Sequence, residues 1–251
     1  MNQSMQGKVV LVVGGAGSIG AVSARRFAEF GARVAISHRD VPEEAAATAT
    51  VVHSLPGEGH AALIADVART DTLNALRVEI ERRFGRLDIL VNTAGFTKPV
   101  PHADLEALDD DLIDRMFAVN WRGQFAVIRT FASLLKASGD GLIVSISSIA
   151  GTNGIGSSIA YCAAKAGIDV MTKSLARVLA PEVRVLAVAP GVVDTGFVPG
   201  RGADFNAQTA ATTPLKRIAT AEDIASAIVA CATQLGFATG TTFVVDGGRS
   251  L

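Results

Sequence analysis

Lys8-Val9-Val10-Leu11-Val12-Val13-Gly14-Gly15-Ala16-Gly17-Ser18-Ile19-Gly20 is the stretch whose reading decides the fold. An apolar, β-branched run passes into glycines and then directly into the helix-like segment Ile19–Phe30. A run apolar at every position reads as a strand buried on both faces of a parallel sheet. Gly15, Gly17 and Gly20 stand at G-x-G-x-x-G spacing. Such glycines let the backbone turn tightly beside a pyrophosphate, which sits where the helix N-terminus offers free N–H groups and a favourable dipole. Strand, glycine loop and helix together predict a dinucleotide cradle.

Working outward, six more short apolar runs follow: Arg33–Ser37, Ala61–Ala65, Asp88–Val91, Leu142–Ser147, Arg184–Ala189 and Thr242–Val245. Between them lie the amphipathic segments Glu43–Ser54, Thr70–Phe84, a long one around Asp109–Lys136, Ser158–Leu179 and Ala221–Thr233. In Thr70–Phe84 the residues Leu73, Leu76, Ile80 and Phe84 form one stripe. Strict β-α alternation predicts an α/β, doubly wound, seven-stranded parallel sheet flanked by helices, a Rossmann-type fold. No linker, repeat or biased segment interrupts the chain, so residues 1–251 are expected to form one domain. Gly196–Thr213 stands apart, rich in Gly, Ala and Thr with little periodicity, and is expected to be a flexible flap over the substrate.

Composition narrows the function classes. Hydrophobic residues make up 49% and charged ones 19%, which is globular rather than disordered. The net charge of −1 gives no footprint for nucleic acid. No tract of ~18 apolar residues is present to span a bilayer, and Met1–Gly7 lacks the regions of a signal peptide. Cys162 and Cys231 are the two cysteines and fit no metal spacing. They are expected to be buried thiols in a reducing compartment, the cytoplasm. His38, His53, His60 and His102 are scattered, so no metal site is expected.

The end of the second strand reads Ser37-His38-Arg39-Asp40. An acid is expected there to hold the ribose 2′-OH of a dinucleotide, but His38 occupies its place. Arg39 can pair with a 2′-phosphate, which favours NADP(H) over NAD(H). Asp40 keeps NAD(H) open as the alternative.

Tyr161 and Lys165 lie four apart on one helical face, after the Ser147-Ser148 pair that ends a strand. A free phenol titrates near ~10, and a neighbouring ammonium favours phenolate. Such a pair can give a proton to a carbonyl oxygen or take one from an alcohol. Tyr161 is the only tyrosine.

In order and spacing, further motifs complete the series. Asp66-Val67 follows the third strand, Asn92-Thr93-Ala94-Gly95 the fourth, and Asn120 lies in the long helix. Pro190-Gly191, Val193 and Thr195 follow the sixth strand, and Asp246-Gly247-Gly248 comes near the end. With these the whole chain resembles the short-chain dehydrogenase/reductase superfamily. The resemblance implies a general acid/base role for Tyr161, and for Lys165 a hold on the nicotinamide ribose with depression of the Tyr161 pKa. It implies that Ser148 bonds the substrate oxygen and that Asn120 holds a proton-relay water. Gly14, Gly17, Ser18, Ile19 and Gly20 would hold the pyrophosphate, Ser37 and Arg39 the adenosine end, and Asp66 the adenine amino group beside Val67. Asn92, Ala94 and Gly95 would line the adenine ribose, Pro190, Gly191 and Val193 would also bind the cofactor, and Thr195 would hold the carboxamide. Three positions depart from the family pattern: Val13 replaces a threonine, Ser18 stands beside Gly17 at the middle glycine, and Thr93 replaces an asparagine. Ser18 is read as able to cap the helix or bond a phosphate.

The expected reaction is hydride transfer between a nicotinamide cofactor and a ketone or secondary alcohol. Within the family the chain most resembles 3-oxoacyl-thioester reductases, with sugar, steroid and small-alcohol dehydrogenases as alternatives. A nucleotide-sensing protein without catalysis and a purely structural domain are rivals of another class, the first disfavoured by the presence of all four candidate catalytic residues. Asp109-Asp110-Asp111 is expected to open a helix, Thr220 to cap the one beginning near Glu222-Asp223, Trp121 to pack, and Phe96 either to pack or to touch the substrate. Apolar residues around the long helix, among them Phe117, Val119, Phe125, Val127, Ile128 and Phe131, predict a homotetramer, as the family implies.

Overall fold

Alternation within the first strand decides how the molecule is layered. In β1, Val9–Val13, every residue is buried. Val9, Leu11 and Val13 enter one apolar cluster, while Val10 and Val12 enter the opposite one. Side chains alternate across a pleated strand, so a strand of this composition must be covered on both faces. The computed structural model describes residues 4–251. It places β2 Arg33–His38, β3 Ala61–Ile64, β4 Ile89–Asn92, β5 Gly141–Ile146, β6 Val183–Pro190 and β7 Thr241–Val245 in one parallel sheet, in the order β3-β2-β1-β4-β5-β6-β7. Each expected strand is present, with its ends within one residue of the expected bounds.

The helices are α1 Ser18–Glu29, α2 Pro42–Ser54, α3 Thr70–Phe84, α4 Asp110–Phe117 and α5 Gln124–Ala137. After them come α6 Ala150–Asn153, α7 Ile159–Leu179, α8 Ala203–Thr212 and α9 Ala221–Thr233. Phe27 of α1 and Ile224 and Ile228 of α9 close one face of the sheet. Leu73, Leu76, Ile80 and Phe84 of α3, with Phe131 of α5 and Ile168 of α7, close the other. Asp88, expected as the first residue of β4, precedes it. Its carboxylate is fully buried, accepts from the Val9 amide at 2.9 Å, and pairs with Lys8 at 3.2 Å and Arg86 at 2.6 Å. Burying a carboxylate costs heavily unless it is paired and hydrogen-bonded, and this one is both.

Four expectations need correction. The long helix is two helices joined by a π-helical turn, Ala118–Gly123, in which Asn120 sits. Ser158 is not in a helix but caps α7, its hydroxyl accepting from the Tyr161 amide at 3.2 Å. Gly17 rather than Ser18 is the N-cap of α1. The Gly196–Thr213 segment contains helix α8, which buries one residue, Thr209, and so shows no apolar stripe in sequence. The caps expected elsewhere are present: Asp109 accepts from the Leu112 amide at 2.8 Å, and Thr220 and Asp223 form a reciprocal capping box.

Strand order reverses between β1 and β4, with the crossovers from the two leaving on opposite sides. Parallel sheets open a crevice beyond the carboxyl ends of their strands at such a point. The glycine loop after β1 and the Asn92–Gly95 loop after β4 both lie there.

Candidate active site

The glycines of the loop differ in what surrounds them. A methyl group at Gly15 would collide with the buried Ile36 side chain, and one at Gly20 would lie 2.6 Å from the Gly15 Cα. Gly14 has φ +77° and faces the Ala94 backbone at 2.8 Å. These three are packing glycines. Gly17 is different, since a methyl there meets nothing closer than the Gly14 carbonyl at 3.4 Å. Space is kept open above Gly17, at the start of a helix whose cap makes no side-chain hydrogen bond. First-turn N–H groups without a side-chain partner are free for an anion, so this cradle fits the phosphates of a dinucleotide.

Beyond the end of β5, the Ser147 hydroxyl donates to the Lys165 carbonyl at 3.2 Å and ties the strand end to α7. The adjoining Ser148, Tyr161 and Lys165 line the same cleft. Lys165 is buried; its Nζ donates to the Ile146 carbonyl at 2.6 Å and lies 5.6 Å from the centre of the Tyr161 ring. Burial lowers the Lys165 pKa to about 8, opposed by Asp169 one turn on. Burial pushes the Tyr161 phenol up to about 12, while the Ser148 hydroxyl pulls it down. This reverses the depression expected from Lys165. The ammonium is bonded to a strand carbonyl, and the desolvation of the phenol dominates.

Asn120 lies beside this site rather than in its open space. Its Nδ2 donates to the Phe96 carbonyl at 2.8 Å and the Met116 carbonyl at 2.9 Å, and its Oδ1 accepts from the Phe96 amide at 3.1 Å. The π turn supplies the slack: widening by one residue lets a buried amide reach both its own helix and the loop after β4. Its side chain braces that loop.

The cleft holds about 850 Å³. Gly14, Gly17, Ser18, Ile19, Gly20, Gly95, Ser148, Tyr161, Lys165, Pro190, Gly191, Val193 and Thr195 all line it. Of the other candidates, Ser37 and Asn92 are buried at strand ends, Asn120 braces from outside, and Ala94 packs against Gly14. Val67 is buried against Gly123 of the π turn. Asp66 accepts from the Ala68 amide at 2.9 Å, and Arg39 is already engaged. Its Nε donates to Glu44 at 2.9 Å and a second nitrogen pairs more closely still. Lining residues that motif reasoning missed come from the Ile149–Ser157 stretch before α7, and from the flap and the C-terminal end, which add Phe197, Val198, Arg201, Phe205 and Arg249. The Phe197 ring lies 6.2 Å from that of Tyr161. Trp121 packs, stacking on Phe125 and filling the space beside Gly167, and Phe96 carries the Arg115 guanidinium at 4.3 Å. Among the described residues no three His, Cys, Asp or Glu side chains converge.

A family profile described as enoyl-(acyl carrier protein) reductase matches residues 14–250. A Streptomyces violaceoruber protein named as a ketoacyl reductase of the granaticin polyketide synthase is 36% identical over 97% of this chain and 96% of its own length. Cis-4-hydroxycyclohexanecarboxylate dehydrogenase of Sinomonas cyclohexanicum is 38% identical over 99% and 98%. The crystal structure of a Brucella melitensis protein titled as a glucose/ribitol dehydrogenase superposes with a TM-score of 0.90 at 28% identity, covering 99% of each chain. Fold, cleft and these relatives agree that the chain belongs to the short-chain dehydrogenase/reductase superfamily and is an NAD(P)-dependent oxidoreductase acting on CH–OH or C=O groups.

Proposed function

We propose that this protein reduces a ketone to a secondary alcohol with NADPH, Tyr161 giving the proton, and catalyses the reverse with NADP⁺. One observation carries the reading: the lone tyrosine, with Ser148 beside it and Lys165 one turn on, shares a single cleft with the open glycine loop. The bound nicotinamide supplies or accepts the hydride. Ser148 donates to the substrate oxygen as charge develops on it, and the phenol delivers the proton that completes the alcohol. Lys165 holds the nicotinamide ribose; its charge, once turned toward the phenol, favours phenolate. Asn120 is a positioning residue. Asp66 and Val67 serve the adenine, Asn92, Ala94 and Gly95 its ribose, Pro190, Gly191 and Val193 the nicotinamide wall, and Thr195 the carboxamide.

Ser37 and Arg39 meet the adenosine end, and Arg39 supports the preference for NADPH. Its pair with Glu44 is largely exposed, and exposed pairs are worth about 0–1 kcal/mol. A charge-assisted bond to a phosphate is worth about 1.5–3 kcal/mol, so a 2′-phosphate displaces Glu44.

Two substrate classes have support. The family profile and the Streptomyces relative favour a 3-oxoacyl thioester. The Sinomonas relative and the apolar walls of Phe197 and Phe205 favour a ring alcohol. Following NADPH absorbance with acetoacetyl-CoA and with substituted cyclohexanones separates them. Turnover of neither class leaves the sugar and steroid alternatives to be screened in the same assay, and no NADPH binding by calorimetry overturns the reading. The cytoplasm suits the buried free thiols of Cys162 and Cys231 and the absence, among the described residues, of a helix able to cross a membrane. With residues 1–251 acting as one domain, exposed Val170 and Val178 on α7 and Val244 on the edge strand β7 support a homotetramer. A monomeric mass in light scattering would refute that assembly.

A further inference from the structure

The proposed proton and hydride chemistry leaves two charged residues of the cleft without a role, Arg201 and Arg249. No Asp or Glu lines the cleft with them. Among the described residues neither forms an ion pair. Nearby acids are engaged elsewhere. Both Asp246 oxygens accept backbone amides, from Gly248 at 2.8 Å and Ser250 at 2.7 Å. Asp194 accepts from Asn206 at 2.8 Å, and Asp204 sits in the first turn of α8, where the helix dipole favours it.

Both guanidinia are held in place without being neutralised. Arg201 lies 4.5 Å from the centre of the Phe205 ring, which orients the guanidinium and leaves its charge uncompensated. Arg249 donates to the Thr212 hydroxyl at 3.2 Å and keeps its remaining donors free. The surrounding protein lowers the Arg201 pKa, the Tyr161 side chain opposes this, and the Arg249 charge lowers it further. Both guanidinia border the same cleft as Tyr161. Cations that share a cleft with no acid favour an anion there.

We infer that Arg201 and Arg249 form a carboxylate-binding subsite, so that the ketone reduced here carries a carboxylate remote from its carbonyl. The inference rests on the ketone–alcohol reading of the Tyr161 end and adds the charge of the substrate. A planar guanidinium matches a carboxylate bidentately. The cofactor's pyrophosphate is the competing anion, and the placement of Arg201 disfavours it. Arg201 also borders a second, shallower cavity formed with Pro99–His102, Ser157 and Val198, a wall that includes no residue of the glycine loop.

The test is calorimetric titration of the enzyme–NADP⁺ complex, which cannot reduce a ketone. Ligands are 4-oxocyclohexanecarboxylate, 4-oxopentanoate, the methyl ester of each, and dihydroxyacetone phosphate. The acids are expected to bind at least tenfold more tightly than their esters, as a charge-assisted pair provides. That ratio should fall toward one in Arg201→Gln, fall several-fold in Arg249→Gln, and be partly kept in Arg201→Lys. The Kd for NADP⁺ should stay within about twofold. An acid-to-ester ratio near one in the unmodified enzyme overturns the subsite, as does a ratio unchanged in Arg201→Gln. So does the absence of acid binding at millimolar concentration, or a preference for the phosphate over both acids. A tenfold loss of NADP⁺ affinity in the arginine variants would reassign them to the cofactor. Failure of the unmodified enzyme to bind NADP⁺ at all would instead remove the ketone–alcohol reading. Tyr161-dependent reduction of an ester with no acid preference removes the subsite alone.

Discussion

One wall of the cleft is made of strand ends, a glycine loop and the start of α7; the other is made by the flap, which returns over it between residues 196 and 213. The first wall is anchored in fully buried strands, and its functional groups follow from short motifs at fixed spacing. The second borrows its side chains from a segment that buries one residue of a ten-residue helix. The proposed chemistry then falls on the stiff wall and the proposed selectivity on the loosely tied one, as function carried by loops on a rigid scaffold leads one to expect. Perturbing the two walls should therefore give different signatures, turnover on one side and discrimination on the other.

The strongest way to break that contrast is Tyr161→Phe. The ring that packs beside Phe197 remains, so the fold and NADPH binding should survive while kcat drops by about 10²–10⁴. Near-normal turnover, in a step limited by hydride transfer, would put the chemistry elsewhere. A second test uses Tyr161 as the only tyrosine, since tyrosinate absorbance reports it alone. Its phenol, raised by burial to about 12, should show no tyrosinate below the ~10 of free tyrosine in the ligand-free enzyme. The proton is thus present at neutral pH for reduction, and alcohol oxidation, which needs phenolate, should rise with pH. If NADP⁺ draws Lys165 away from the Ile146 carbonyl, that rise will centre well below 10. A midpoint the same with and without NADP⁺ would deny Lys165 its part.

Arg39→Ala sharpens the comparison at the cofactor's far end. It should cost about 1.5–3 kcal/mol, tenfold or more in kcat/KM for NADPH, and leave NADH unaffected. Equal losses for both cofactors would shift attention to Asp40.

The two walls also differ in how far they can be read from sequence. Strands announced themselves because burial on both faces forces continuous apolar runs. The Gly14–Gly20 loop, Ser148, Tyr161, Lys165, Pro190 and Thr195 were legible because each sits at a fixed offset from such a strand. Asn120 was found but its bonding was not, because the slip to a π turn depends on the loop it braces. Phe197, Arg201, Phe205 and Arg249 carried no signal. Their shared place at the cleft arises only when the flap folds back over strand ends that include the glycine loop after β1, far away in sequence. For Arg201 and Arg249 the visible sign is structural, a pair of cations lacking any acid.

Smaller effects refine the stiff wall. Gly15→Ala pushes a methyl into Ile36, which is fully buried and cannot yield, so stability should fall by about 1–3 kcal/mol in urea melts. Gly17→Ala meets only the Gly14 carbonyl, at an ordinary contact distance of 3.4 Å, and should leave the melt far less changed while weakening NADPH. Comparable destabilisation by both would mean that Gly17 packs rather than receives a ligand. Smallest of all should be Glu44→Gln. Releasing Arg39 from an exposed pair should tighten NADPH by no more than the roughly 1 kcal/mol such pairs are worth.

The turn at Ala118–Gly123 has a geometric consequence of its own. An α-helix advances about 100° per residue, so one residue of surplus winding acts as a phase shifter between α4 and α5. It lets Leu112 and Met116 of α4 point at Ala160 and Ala164, while Val127 and Phe131 of α5 point at the sheet. Deleting the half-buried Ala118 there would leave the bracing Asn120 and the packed Trp121 in the chain and yet turn one half-helix away from its partner. The segment is thus a counted spacer, whose length matters as much as its composition.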